Sequence, residues 1–322
     1  MQTRTLGKNG PEVSVVGLGC NNFGGRLDQA ATNAVVHRAL EQGITLFDTA
    51  DVYGNRGGSE IMLGKALGSE RQRIVLASKF GHSMGMDDSG ALKGAKPAYI
   101  RQALEASLKR LGTDYLDLYQ LHTPDPETPI EDTLGTLNEL VQAGLVRFIG
   151  VSNMAAADVK KADELAQQRG WTPFVSCQDE YSLLVRGIEA ELIPTMQELG
   201  LGLLPYFPLA SGLLTGKYHA GQPLPQGARI TGSEGAQGRY LTERNWQTVE
   251  RLRHYAADKG HTLLELAFGW LLAHQVTSSV IAGATKPEQI DANVAAAAWV
   301  LTPEEKQEVD ELSGEEPSGG AA

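Results

Sequence analysis

Short apolar runs recur along the chain, and nearly every one ends on a polar or ionisable residue. They are Val13–Gly19, Ile44–Asp48, Ile74–Lys79, Tyr115–His122, Val146–Ser152, Phe174–Gln178, Leu201–Tyr206 and Ser278–Gly283. Each has the length of a strand buried on both faces. Between them lie segments with apolar positions at three-to-four spacing, such as AATNAVVHRALEQG, PAYIRQALEASLKRLG and IEDTLGTLNELVQAG, each closed by the glycine at which a helix stops. Eight strands alternating with helices leave two common α/β architectures, an open doubly wound sheet or a closed (β/α)8 TIM barrel.

The count favours the barrel, which typically takes ~250 residues before insertions, in a chain of 322. A dinucleotide-binding open sheet would carry a Gly-rich fingerprint after its first strand, but GLGCNN has Asn22 at the third glycine. GLLTGK at Gly212–Lys217 is one residue short of a phosphate loop, and Tyr218 replaces the magnesium-binding hydroxyl. The long Gly- and Pro-rich stretch from Gly212 to Tyr240 has the character of a functional lid. Residues 1–312 form one domain in this reading, and 313–322, ending SGEEPSGGAA, form a disordered polar tail.

Charge and cysteines narrow the function. With a net charge of −11, a general nucleic-acid surface is excluded, while a local basic pocket for phosphate is not. The two cysteines, Cys20 and Cys177, are far apart and make no metal-ligand pattern, so no metal site is proposed. That usage fits a reducing compartment, and no membrane span or signal segment is visible, so the expected location is cytoplasmic. Oligomeric state is not readable.

In a (β/α)8 barrel chemistry gathers at the carboxyl ends of the strands. Those ends carry Asp48 with Tyr53 following, Lys79, His122, Ser152 with Asn153, Gln178 and Tyr206. Singly, each has an ordinary explanation: a helix cap, a lysine leaving the sheet, a histidine packed under a loop. Together on one rim they make a proton-transfer set. A phenol near pKa 10 is a poor acid until a neighbouring ammonium favours its phenolate. Lys79 supplies that charge, Asp48 keeps Lys79 protonated, Tyr53 donates to an oxygen gaining charge and His122 orients that oxygen. Tyr53 is therefore predicted to have a lowered pKa, whereas Asp51 reads as a loop residue with local hydrogen bonds. The chemistry is carbonyl reduction, and since no side chain delivers hydride, a nicotinamide cofactor is required.

The runs FDTADVYG, IVLASKF, SLKRLGTDYLDLYQLH, GVSN and YFPLASGLLTGKY resemble the aldo-keto reductases, near the potassium-channel β-subunit branch. The likeness extends from GLGCNNFG to TKPEQIDANV and includes the family's tetrad, Asp48, Tyr53, Lys79 and His122. It implies a TIM barrel with an N-terminal β-hairpin and extra C-terminal helices, reducing aldehydes or ketones with NADPH, or alternatively NADH. By position, Ser152, Asn153 and Gln178 would hold the carboxamide and Tyr206 would stack on the ring. Phe207, Pro208, Leu209, Ala210, Ser211 and Lys217 would follow the pyrophosphate, with Arg229 beside them. Gly283, Thr285, Lys286, Gln289 and Asn293 would hold the adenosine end, where Gly283 and Gln289 replace a lysine and an arginine common in relatives. The expected partner is a small-molecule carbonyl substrate at an open mouth. The rival reading is a regulatory protein resembling the channel β-subunits, which His122 disfavours because that branch typically carries asparagine there.

Overall fold

The computed structural model describes residues 1–87, 90–225 and 227–314. Eight parallel strands make one sheet: β1 (Val16–Gly19), β2 (Leu46–Asp48), β3 (Val75–Phe80), β4 (Leu116–Leu121), β5 (Val146–Ser152), β6 (Phe174–Gln178), β7 (Gly202–Leu203) and β8 (Val280–Gly283). They run in chain order from β1 to β7, and β8 returns beside β1. The two edges meet: Leu203 pairs with Thr277, its N–H donates to Val276 O at 2.7 Å, and it accepts from Ser278 N at 3.0 Å. That contact curls the sheet into a barrel and removes its free edges.

The predicted helices form the outer layer: α1 (Gln29–Glu41), α2 (Tyr53–Leu67), α3 (Pro97–Leu111), α4 (Ile130–Gln142), α5 (Ala156–Arg169) and α6 (Leu192–Leu199). Past β7 come α7 (Glu234–Tyr240), α8 (Glu243–Asp258) and α9 (Leu263–Ala273), and past β8 come α10 (Pro287–Ala296) and α11 (Pro303–Ser313). Gly112 ends α3 in the left-handed region, as its closing glycine predicts, and Gly170 and Gly200 end α5 and α6 in the same way. In α11, Thr302 and Glu305 make a reciprocal capping box. This helix reaches Ser313, which is buried and accepts from Arg186 Nη1 at 2.8 Å, so ordered structure extends one residue into the expected tail. Residues 315–322 lie outside the described residues.

The first apolar run divides in two. Glu12–Ser14 pairs antiparallel with Thr3–Thr5 as the N-terminal hairpin, and only Val16–Gly19 enters the barrel. Continuous hydrophobicity concealed the break, because Val13 faces one apolar environment and Val16 another. Leu6 and Val13 close the amino end of the barrel, packing in one cluster with Leu46, Val75, Ala77, Leu118, Val175, Leu204 and Ile281. A much larger cluster fills the space between strands and helices. Most strand positions are thus buried on both faces, and the tetrad's polar groups lie at the opposite end.

Candidate active site

At the carboxyl end the barrel opens into a cavity of about 640 Å³. Lys79 lies behind the lining residues Asp48 and Tyr53, fully buried, and its ammonium donates to Asp48 Oδ2 at 2.6 Å, to Thr49 O at 2.8 Å and to Tyr53 Oη at 3.5 Å. Burial works against that charge, but Asp48 and Tyr53 together outweigh it and hold the Lys79 pKa above its ordinary value. Asp48 Oδ1 accepts from Gln120 Nε2 at 3.1 Å and from Gln178 Nε2 at 2.9 Å. The buried ion pair therefore has its remaining lone pairs satisfied, the condition under which such a pair survives inside a protein. Gln120 was missed in the sequence, although a lone amide inside the apolar run YLDLYQLH was its signal.

Tyr53 is held over this pair by backbone packing. Residues 54–57 all have positive φ, and a Cβ on Gly54 would sit 2.3 Å from Phe23 O and 2.5 Å from Ser59 N. Only glycine lets the turn press against the β1–α1 loop. The phenol lies 3.5 Å from His122 Nε2. Its pKa is raised, because burial outweighs the pull of Lys79. This corrects the predicted lowering: desolvation of the phenolate is the larger effect, and Lys79 limits the rise without reversing it.

Burial, with Lys79 and His82 adding to it, pushes the His122 pKa down to about 2, so the imidazole is neutral. Its Nδ1 is buried without a partner, and a proton there would be a stranded donor. The tautomer carrying the proton on Nε2, toward the phenol and cavity, avoids that cost. His82 packs edge-on to His122 with ring centroids 4.3 Å apart and lines the same cavity.

Asp51 lies in a turn, as predicted, but its hydrogen bonds are to distant segments. It is buried, its N–H donates to Lys79 O at 3.2 Å, and Oδ2 accepts from Tyr99 Oη at 3.5 Å. Oδ1 is without a partner, and burial together with Glu60 raises the pKa to about 7, with Arg110 opposing. Tyr99 of α3 packs across this turn.

The remaining predicted residues divide clearly. Ser152, Asn153, Gln178, Tyr206, Phe207, Pro208, Leu209, Ser211, Lys217, Arg229, Gly283, Thr285 and Gln289 line the cavity. Ser152 Oγ donates to Gln178 O at 2.7 Å, Asn153 Nδ2 donates to His122 O at 3.1 Å, and Tyr206 Oη donates to Asn153 Oδ1 at 2.8 Å. Asn153, Phe207, Ala210 and Ser211 all hold positive φ, and such strain concentrates where a wall must be shaped for a ligand. Ala210, Lys286 and Asn293 are not part of the lining. Ala210 is wholly buried behind it, Asn293 is buried on the inner face of α10, and Lys286 points into solvent at the start of that helix. Asn21, Asn22, Arg26, Gly212 and Thr215 line the cavity as well. Of these, Arg26 was wholly overlooked, though a cation in the loop NNFGGRL of an acidic chain was a signal.

The profile of the Aldo/keto reductase family matches residues 15–314. The chain belongs to that family. Its members are NAD(P)H-dependent oxidoreductases, and the barrel and the rim residues described above fit that membership. "Probable aldo-keto reductase 1" of Glycine max is 35% identical over 317 residues, covering 97% of this chain and 88% of the relative. Among solved structures, aldo-keto reductase AKR11C1 from Bacillus halodurans in its holo form superposes with a TM-score of 0.80 at 35% identity, covering 97% and 96% of the two chains. The reductase also has no helix among its described residues long and apolar enough to cross a membrane.

Proposed function

We propose that this reductase converts aldehydes or ketones to alcohols with NADPH, using Tyr53 as proton donor. The supporting observation is the buried Asp48–Lys79 pair ending directly beneath a phenol that shares one cavity with a neutral His122. The lining also suits a dinucleotide: amides and an aromatic ring at one part (Asn153, Gln178, Tyr206), cations at Lys217 and Arg229, and neutral polar groups at Thr285 and Gln289. When bound, the nicotinamide supplies hydride to the carbonyl carbon. The protein's residues handle the proton. Tyr53 remains protonated at neutral pH, as its raised pKa requires, and gives its proton to the carbonyl oxygen as charge develops there. Lys79 compensates the phenolate left behind, and Asp48, braced by Gln120 and Gln178, keeps Lys79 charged. Neutral His122 presents Nε2–H to the same oxygen without adding a charge that would compete with Lys79.

Tyr53→Phe removes the proton while leaving the cavity walls in place. Turnover of a nitrobenzaldehyde-type substrate, followed by NADPH absorbance, should fall ~10²–10⁴-fold while NADPH still quenches protein fluorescence. Undiminished turnover would overturn the assignment. Parallel titrations with NADPH and NADH set the cofactor preference.

A further inference from the structure

Three cations line the cavity: Arg26 from the β1–α1 loop, and Lys217 and Arg229 from the segment after β7. Among the described residues none of them has a carboxylate within ion-pair range, although the chain carries a net charge of −11. Arg26 Nη2 donates to Gly227 O at 3.1 Å, which brings its guanidinium across to the strand-seven side, two residues from Arg229. Arg229 in turn lies 4.8 Å from the centre of the Phe207 ring. After burial, Arg26 is the next cause lowering the pKa of both Lys217 and Arg229, so Arg26 repels each of the other two charges. Cations without a carboxylate partner that repel across one cavity are stabilised when an anion enters between them.

We infer that Arg26 is a cofactor-binding residue, completing with Lys217 and Arg229 a clamp that takes the dinucleotide's diphosphate from both sides of the barrel mouth. This rests on the dinucleotide reading above and adds to it a residue from a different element. Guanidinium suits the task because its planar fork of donors can keep Gly227 O and still reach a phosphate oxygen. The adenosine part of the lining, Gly283, Thr285 and Gln289, holds no cation, and Gln289 Oε1 is already taken by Thr285 N at 2.7 Å. Binding energy from charge is therefore concentrated on the diphosphate.

The test is a fluorescence titration of wild type, Arg26→Gln and Arg26→Lys with NADPH, with ADP and adenosine as competitors. Arg26→Gln should raise the NADPH Kd roughly 10- to 100-fold, the loss expected for one charge-assisted contact. It should weaken ADP in parallel, leave adenosine unchanged and flatten the dependence of binding on salt. Arg26→Lys should recover part of the affinity, which excludes misfolding as the cause. If wild type binds NADPH and Arg26→Gln binds it equally well, or if adenosine is weakened as much as ADP, the clamp is overturned while the dinucleotide reading stands. If wild type binds neither NADPH nor ADP, the dinucleotide reading itself falls.

Discussion

The two ends of this barrel are built from the same strands and solve opposite problems. At the amino end Leu6 and Val13 seal against the apolar side chains Leu46, Val75, Leu118 and Ile281. Two residues beyond Leu46 and four beyond Val75, the same strands present Asp48 and Lys79, both buried, joined to each other and to Gln120 and Gln178. Apolar burial is non-directional and tolerant, so the sealed end contributes stability without specifying orientation. A buried ion pair contributes little net stability but is costly to break, so the open end contributes geometry. The contrast teaches where to expect losses of stability without function, and losses of both.

The largest effect should come from Lys79→Met, which keeps the chain's bulk but strands Asp48 as a buried charge. Its unfolding free energy in urea should drop by about 3–5 kcal/mol and its reductase activity should disappear. Retained stability would mean that Asp48 is not held as a carboxylate. Leu6→Ala probes the opposite end: it should cost about 2–5 kcal/mol through the cavity it leaves, with kcat/KM unchanged. A parallel fall in kcat/KM would show that the two ends are mechanically coupled.

The smallest effect concerns Asp51, beside the open end but outside its network. Its pKa rises on folding from 3.8 to about 7, so the folded state binds the proton more tightly than the unfolded chain. Stability associated with that proton is full below the unfolded value and is lost as pH rises through the folded one. Asp179 behaves alike, its pKa also raised to about 7 by burial, so wild type should lose stability from both groups over this window. Asp51→Asn removes one of them. Its melting temperature relative to wild type should climb between ~pH 4 and ~pH 7 and level off above. A difference independent of pH would contradict the buried, partnerless placement of Oδ1.

Much of this architecture was legible beforehand, for identifiable reasons. Strands buried on both faces and helices closed by glycine give strong one-dimensional signals, and α3 ends where its glycine predicts. The rim residues Asp48, Lys79, Ser152 and Gln178 could be read because parallel strands align their carboxyl ends, converting sequence position into spatial position. The split of the first apolar run could not be read, because a hairpin strand and a barrel strand look identical when both are buried.

The sequence by itself determined the alternation of strand and helix, the polar rim with its tyrosine, lysine, aspartate and histidine, and the family. Only the tertiary structure decided the protonation states. Tyr53 is raised, His122 lies near 2 and Asp51 near 7, all because burial is a property of what packs around a residue. It likewise decided the support groups: Gln120 reaches Asp48 across 72 positions, and Arg26 reaches Gly227 across 201. Local pattern encodes which face of a strand or helix is apolar, whereas electrostatics depends on charges and solvent exclusion contributed by distant segments, which meet only when the barrel closes.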